Sequence, residues 1–262
     1  MTSVATTAAG EAAVPLAVAL RSVTKVFGED ASRVVALDNI SLDVTPGRIV
    51  CLVGASGCGK TTMLNLVAGL EQPTAGTVES HGRSALMFQE SALFSWLTLS
   101  KNVELALKLR GLRSVAARRA EAMRLLEMVH LEDFAKARPH QVSGGMRQRG
   151  ALARALAQKP EVLLMDEPFG SLDAMTRDLL HEELEGLWQA ERFTVLFVTH
   201  NVREAVRLGD EVVVLSSRPG RVVDRVPIEI PRPRRMDSPE VATAAAAITD
   251  QLRDEVRRHG RS

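Results

Sequence analysis

The chain has 262 residues, 45% of them hydrophobic and 25% charged, which fits one large folded domain or a core with a subdomain and excludes disorder throughout. Thirty-three basic and 32 acidic residues leave a formal charge of +1, and aromatics are only 3% with no Tyr. Neither a field that gathers nucleic acid nor a stacking surface for single strands is expected, so no nucleic-acid partner is expected. Cys51 and Cys58 are too few for a secreted-type disulfide framework, and no apolar run reaches the roughly 18 residues of a bilayer span. The expectation is a soluble intracellular protein.

Residues 1–15 are small and polar without a basic n-region, and are expected to form a flexible tail rather than a signal peptide. Leu16–Phe27 and Val34–Val44 are rich in Val, Leu and Ile and flank Gly28-Glu29-Asp30, which predicts an antiparallel hairpin. After the turn signal Pro46-Gly47, Arg48–Val53 reads as a short apolar strand. Met63, Leu66, Val67 and Leu70 recur at helical spacing over Lys60–Leu70, which ends at Gly69 and Pro73. Thr77–His81 and Ala85–Phe88 read as further strands.

The middle third changes character. Leu99–Arg110, Ser114–Val129 and Met146–Gln158 have helical periodicity and no strand signal, the last stopping at Pro160. Alternation then returns: strand Val162–Met165, helix Met175–Glu191, strand Phe193–Val198, helix Val202–Leu208, strand Glu211–Leu215. Continuous apolar strands separated by helices predict a parallel sheet covered on both faces. Pro231 and Pro233 with Arg232, Arg234 and Arg235 predict a solvated linker, followed by an Ala-rich helix over Glu240–Arg258.

Gly54-Ala55-Ser56-Gly57-Cys58-Gly59-Lys60-Thr61 satisfies G-x-x-x-x-G-K-[ST] between a predicted strand and a predicted helix, the context that a nucleotide phosphate loop requires. Glycines let N–H groups point into one concavity, and the following helix adds its positive end. Lys60 is positioned for the β- and γ-phosphates and the Thr61 hydroxyl for Mg²⁺. Downstream, an apolar strand ends in Asp166-Glu167, where Asp166 can hold Mg²⁺ and Glu167 can take a proton from a water attacking phosphorus. Gln89 and His200 end two other apolar strands, so the three strand ends are expected to converge at one sheet edge as a γ-phosphate and Mg²⁺ sensing set. The fold class is therefore α/β: a phosphate-loop NTPase core with a mostly parallel sheet, an N-terminal antiparallel β subdomain and an inserted α-helical subdomain at about residues 90–158.

Ser143-Gly144-Gly145-Met146 precedes a helix, with Ser143 suited to cap it and the glycines suited to close approach of a phosphate. With that segment in hand, the chain resembles the nucleotide-binding subunit of an ATP-binding cassette transporter over about residues 16–225. The resemblance makes Gly54–Thr62 a Walker A motif, including Thr62, Gln89 a Q-loop that joins Thr61 and Asp166 at the metal, Val142–Met146 a signature, Val162–Glu167 a Walker B, Asp173 a D-loop acid, His200 a switch histidine and Phe27 the adenine-stacking aromatic. It implies an ATPase domain over 16–235 with a C-terminal helical tail over 236–262, using ATP and Mg²⁺ and pairing as an ATP-dependent homodimer, or with a second ATPase subunit. In that dimer, each signature closes on the partner's nucleotide.

Departures from the family pattern are Met146 where many relatives carry Gln, Gly150 inside a helix at a cost of about 1 kcal/mol against Ala, and Asn201 where an acid is common. Ala137–Gln141 resembles the importer pattern, and Gly145–Arg149, Phe88-Gln89-Glu90 with Ser95-Trp96-Leu97-Thr98, and Arg218-Pro219-Gly220-Arg221 with Pro231-Arg232-Pro233-Arg234 are similar to the nitrate, sulfonate and taurine import group. That similarity implies a separate membrane permease, met by exposed Phe94 or Trp96 unless these pack inside, an extracytoplasmic solute-binding protein acting indirectly, and a peripheral place on the cytoplasmic face of the inner membrane. A non-transport cassette ATPase serving as an assembly or repair scaffold is the alternative, and a phosphate-loop kinase a weaker third. Cys58 lies at a helix start that can favour thiolate, or is an inert small residue.

Overall fold

A six-stranded sheet runs through the centre of the computed structural model, which describes residues 16–259. The expected tail over 1–15 lies outside the described residues. Strands β3 (Ile49–Val53), β5 (Ser84–Met87), β6 (Val162–Asp166), β7 (Thr194–Val198) and β8 (Glu211–Leu215) pair in parallel in the order β5-β6-β7-β3-β8. An antiparallel edge strand, β9 (Val222–Pro227), which the sequence reading did not assign, completes the sheet.

Both faces of this sheet are covered, and the side chains divide with the two-residue period of a strand. Ile49, Cys51, Val53, Leu163, Met165, Val195 and Phe197 face one core; Val50, Leu52, Val162, Leu164, Leu196 and Val198 face the other. The first core holds the helical insertion, α2 (Leu99–Leu109), α3 (Val115–Glu127) and α4 (Gly144–Leu156), together with α5 (Ala174–Glu191), α6 (Val202–Leu208) and the C-terminal α7 (Pro239–His259). The second core holds α1 (Lys60–Val67) and the three-stranded sheet β2-β1-β4, built from β1 (Val18–Phe27), β2 (Val34–Val44) and β4 (Ala75–Ser80). The expected hairpin is present as β1 and β2, and β4 joins it from beyond α1.

Two expectations change. Helix α4 begins at Gly144 rather than Met146, because the Ser143 hydroxyl accepts the Met146 N–H at 3.2 Å and sets the cap two residues earlier. The Arg232–Arg235 segment is not a solvated linker. Arg234 is buried, and its guanidinium donates to the carbonyls of Val206 at 2.9 Å, Ile230 at 2.7 Å and Ile228 at 3.1 Å, satisfying the C-terminal end of α6. Arg232 pairs with Glu185 at 3.1 Å and Asp210 at 2.8 Å and stacks over Trp188 at 4.6 Å. Of the three arginines Arg235 alone is exposed, paired with Asp237.

Gly150 has a packing reason. A Cβ there would press on Leu99 Cδ2 at 3.3 Å and Leu93 Cδ1 at 3.4 Å, so the helical penalty is exchanged for close contact between α4 and the start of α2.

Candidate nucleotide-binding site

The phosphate loop leaves β3 at Val53 and enters α1 at Lys60. Gly57 and Gly59 hold φ of +75° and +96°, left-handed values that cost glycine little. A Cβ at Gly59 would also meet Leu37 Cδ2 at 2.6 Å and the Ala36 carbonyl at 2.9 Å. The loop therefore curls its N–H groups into a concavity at the positive end of α1. Lys60 is almost wholly buried and turns back into it, its Nζ donating to the Gly54 and Ala55 carbonyls at 2.9 Å each. A cleft of about 340 Å³ opens there, lined by Ser56, Lys60, Thr61, Thr62, Glu167 and Phe27 among others. Phe27, at the end of β1, is partly exposed, with the Lys25 ammonium 4.8 Å from its ring centre.

Cys58 does not face the cleft. Its side chain is buried against Gly54, where a Cβ would stand 2.7 Å from the sulfur, and burial pushes the thiol up despite the Lys60 ammonium nearby. The inert reading of Cys58 replaces the thiolate one, and its size explains why position 54 is glycine.

Asp166 closes β6, with its carboxyl beside the Thr61 hydroxyl. Burial raises this carboxyl and the neighbouring Glu167 charge adds to the effect, while Thr61 and Lys60 oppose it. A half-buried carboxylate facing a hydroxyl at the foot of a phosphate cradle is a set of hard oxygen donors, the kind Mg²⁺ takes. The residues present therefore fit that ion.

Glu167 follows at φ +44°, its N–H donating to the Val198 carbonyl at 2.9 Å, and this turn leaves the carboxylate in the cleft. His200 lies two residues past the end of β7, and its Nδ1 lies 2.8 Å from Glu167 Oε2. An ionised carboxylate only accepts, so the ring N–H donates. Asn201, the departure beside it, caps α6 by accepting the Arg203 and Glu204 N–H groups at 3.1 and 3.3 Å.

Gln89 lies two residues past the end of β5 and does not line the cleft of Thr61 and Glu167 in this conformation. It is exposed and lines a second cleft of about 490 Å³ with Ser171 and the signature residue Gly144. Gln148 on α4 donates to the Gln89 carbonyl at 2.6 Å, joining the signature helix to the Q-loop backbone. Gly145 is buried, and a Cβ on it would overlap the Thr176 methyl of α5. Thr176 in turn donates its hydroxyl to Asp173 Oδ2 at 2.6 Å and its N–H to Asp173 Oδ1 at 3.0 Å, which holds the Asp173 carboxyl below its usual range. Gly145 thus sits against α5, the helix that Asp173 caps, and none of Ser143, Gly144, Gly145 and Met146 lines the cleft of the phosphate loop.

Sequence reasoning missed Gln148, Thr176 and Arg218 as parts of the site. The first two act through contacts far apart in sequence, and no spacing rule marks them. Arg218 had a signal, an Arg-Pro-Gly-Arg turn after an apolar strand, but nothing in the sequence indicates that this turn lies against the phosphate loop.

Residues 37–170 match the model of the ABC transporter family. The chain is 43% identical over 242 residues to the aliphatic sulfonates import ATP-binding protein SsuB 1 of Mesorhizobium japonicum, covering 90% of this chain and 88% of the relative. It is 44% identical over 220 residues to the nitrate import ATP-binding protein NrtD of Synechocystis sp., covering 81% and 82%. Among solved structures, the dimeric post-hydrolysis state of the ATP-binding cassette MJ0796 bound to ADP and Pi superposes with a TM-score of 0.74 at 34% identity, covering 81% of this chain and 99% of that one. With the phosphate loop, the acid pair and the capped glycines all in place, this chain belongs to the ABC transporter family and is one of its ATP-hydrolysing cassettes.

Proposed function

We propose that the protein powers import of small oxyanions of the nitrate, sulfonate and taurine class through a separate membrane permease, working from the cytoplasmic face of the membrane as a pair of cassettes. The observation that carries the ATPase chemistry is the convergence of Lys60, Thr61, Asp166, Glu167 and His200 on one cleft. The names of the import relatives support the direction and the solute class. No helix among the described residues is long and apolar enough to cross a membrane.

In this reading, Phe27 stacks the adenine, and the loop N–H groups from Ser56 to Thr62 with Lys60 hold the phosphates. Thr61 and Asp166 would hold Mg²⁺, with Gln89 the further ligand that the family resemblance implies. The chemistry that ion supplies is neutralisation of charge on the phosphate oxygens. Glu167 accepts a proton from the attacking water as its oxygen bonds to the γ-phosphorus and the bond to the ADP oxygen breaks. His200 orients Glu167 through the 2.8 Å hydrogen bond and senses the γ-phosphate. Ser143, Gly144, Gly145 and Met146, with Asp173, serve the nucleotide of the partner cassette, since their own cleft lies apart.

Trp96 is 68% exposed and packs at 5.2 Å on the partly exposed Phe94 ring, beside a groove of about 520 Å³ lined by Asn102, Leu105, Leu109 and Arg154. An exposed aromatic pair at such a groove suits a helix from the permease, which an external solute-binding protein would feed.

The test is transport in vesicles bearing the neighbouring permease, with nitrate, taurine and alkanesulfonates offered in turn. ATP-dependent uptake of one of these anions that disappears with Glu167→Gln is the expected result. Association with no integral membrane protein would overturn the import reading in favour of a non-transport cassette.

A further inference from the structure

We infer that Arg218 is a second phosphate-binding cation of the nucleotide cleft, acting from the same chain as Lys60. This rests on reading the cleft as the ATP site. The geometry begins with the turn between β8 and β9, which is fixed at several points. The Ser216 hydroxyl lies 2.8 Å from the Pro219 carbonyl and accepts the Arg221 N–H at 2.9 Å. Gly220 donates its N–H to the Ala36 carbonyl and accepts from the Asp38 N–H, both at 2.9 Å, which stitches the turn to β2. Arg221 then pairs with Asp38, Nε to Oδ2 at 2.9 Å. A side chain at position 220 would overlap the Cys58 carbonyl, so the turn also lies directly on the phosphate loop.

A turn held in this way delivers the exposed side chain of Arg218 to a defined place, while the other exposed arginine of the turn, Arg221, is held by Asp38. Its Nε lies 3.4 Å from the Gly57 carbonyl at the tip of the loop, and its guanidinium lines the same cleft as Ser56, Lys60 and Thr61. The neighbouring arginines spend their charge on carboxylates: Arg221 on Asp38, Arg225 on Glu211, Arg232 on Glu185 and Asp210. Among the described residues Arg218 has no carboxylate within ion-pair distance, so its donors face a cleft already built for an anion. A planar guanidinium offers paired donors that match phosphate oxygens. The chemical class it takes is the polyphosphate chain of a nucleoside di- or triphosphate.

The experiment measures ATP and ADP binding to the full-length protein by calorimetry without Mg²⁺, so that no turnover occurs, for wild type, Arg218→Gln and Arg218→Lys. Arg218→Gln is expected to weaken both nucleotides about tenfold, the size of one hydrogen bond to a charged group, and Arg218→Lys to keep most of the affinity. Salt is expected to weaken wild-type binding more than binding by Arg218→Gln. The nucleotide-free melting temperature is expected to stay at the wild-type value while the rise on adding ATP shrinks. Equal affinity in Arg218→Gln and wild type would overturn the assignment of Arg218 while leaving the cleft as the ATP site. Unchanged nucleotide affinity with impaired pairing of two cassettes would overturn it in favour of a contact with the partner. Failure of the wild type itself to bind ATP would overturn the reading of the cleft, and Arg218 with it.

Discussion

Glu167 holds a left-handed backbone, φ +44°, that costs a non-glycine residue of order 1–3 kcal/mol, and the ladder bond to Val198 and the ring of His200 hold it there. The strained turn points the carboxylate into the cleft rather than along the strand. Replacing the proposed base by its isosteric amide keeps that turn and removes the proton acceptor. Glu167→Gln is therefore expected to bind ATP as wild type does and to lose about 10²–10⁴-fold in turnover, checked by steady-state phosphate release beside equilibrium binding. Wild-type turnover would remove Glu167 from the role of base. Cys58 gives a second test at this scale. Its buried thiol, with its pKa pushed up, is expected to react with iodoacetamide at pH 8 at least tenfold more slowly than in the urea-unfolded chain, because only thiolate attacks and only unfolding exposes it. Equal rates would restore the reactive-thiol reading. The motif residues were legible because phosphate chemistry restricts their types and spacing. Whether Cys58 faces the cleft or the core was not, because its direction depends on the glycine at 54 and the contact they share.

Elements were legible where burial on both faces imposes a run of apolar residues, as in β3, β6, β7 and β8. They were less so where the sheet meets water. The edge strand β9 alternates half-buried and exposed positions through Val222–Pro227, and its Asp224 and Arg225 conceal the strand pattern. The arginines around Pro233 misled for a related reason, since key partners of Arg232 and Arg234, Glu185 on α5 and Val206 on α6, lie far away in sequence. Arg234 makes the difference measurable. Arg234→Met leaves the α6 carbonyls buried without a donor and is expected to cost about 3 kcal/mol, or roughly 5–10 °C in melting temperature, with nucleotide affinity kept. A stability change under about 0.5 kcal/mol would return the segment to a solvated linker. The contact between Gly145 and Thr176 tests how α4 and α5 fit together. Gly145→Ala is expected to destabilise by about 1–3 kcal/mol through overlap with the Thr176 methyl. Thr176→Ser removes that methyl and keeps the hydroxyl for Asp173, so the double variant is expected to recover most of the loss. Additive losses in calorimetric unfolding would show that the clash lies elsewhere.

At the scale of the whole molecule, a single copy carries two half-sites that do not meet. The phosphate loop opens into one cleft, and Gly144 lines another with Gln89 and Ser171. In the proposed two-fold pair the half-sites would join by exchange, each copy giving and receiving the same surface. This arrangement separates nucleotide binding from pairing. Gly144 has room for a side chain, its nearest neighbour to an added Cβ being Leu172 Cδ2 at 3.6 Å, and an acid in the first turn of α4 suits the helix. Gly144→Asp is accordingly expected to fold normally and, as an isolated subunit, to bind ADP within about twofold of wild type, since its own cleft is untouched. Placed in the Glu167→Gln background, the same carboxylate would face the partner's triphosphate, and like charges in a closed interface cost several kcal/mol. The ATP-dependent dimer of Glu167→Gln is expected to vanish in the double variant, as read by light scattering or analytical ultracentrifugation. A tenfold loss of ADP affinity in the isolated subunit would instead mean that the signature serves its own nucleotide, and the exchange of half-sites between copies would fall.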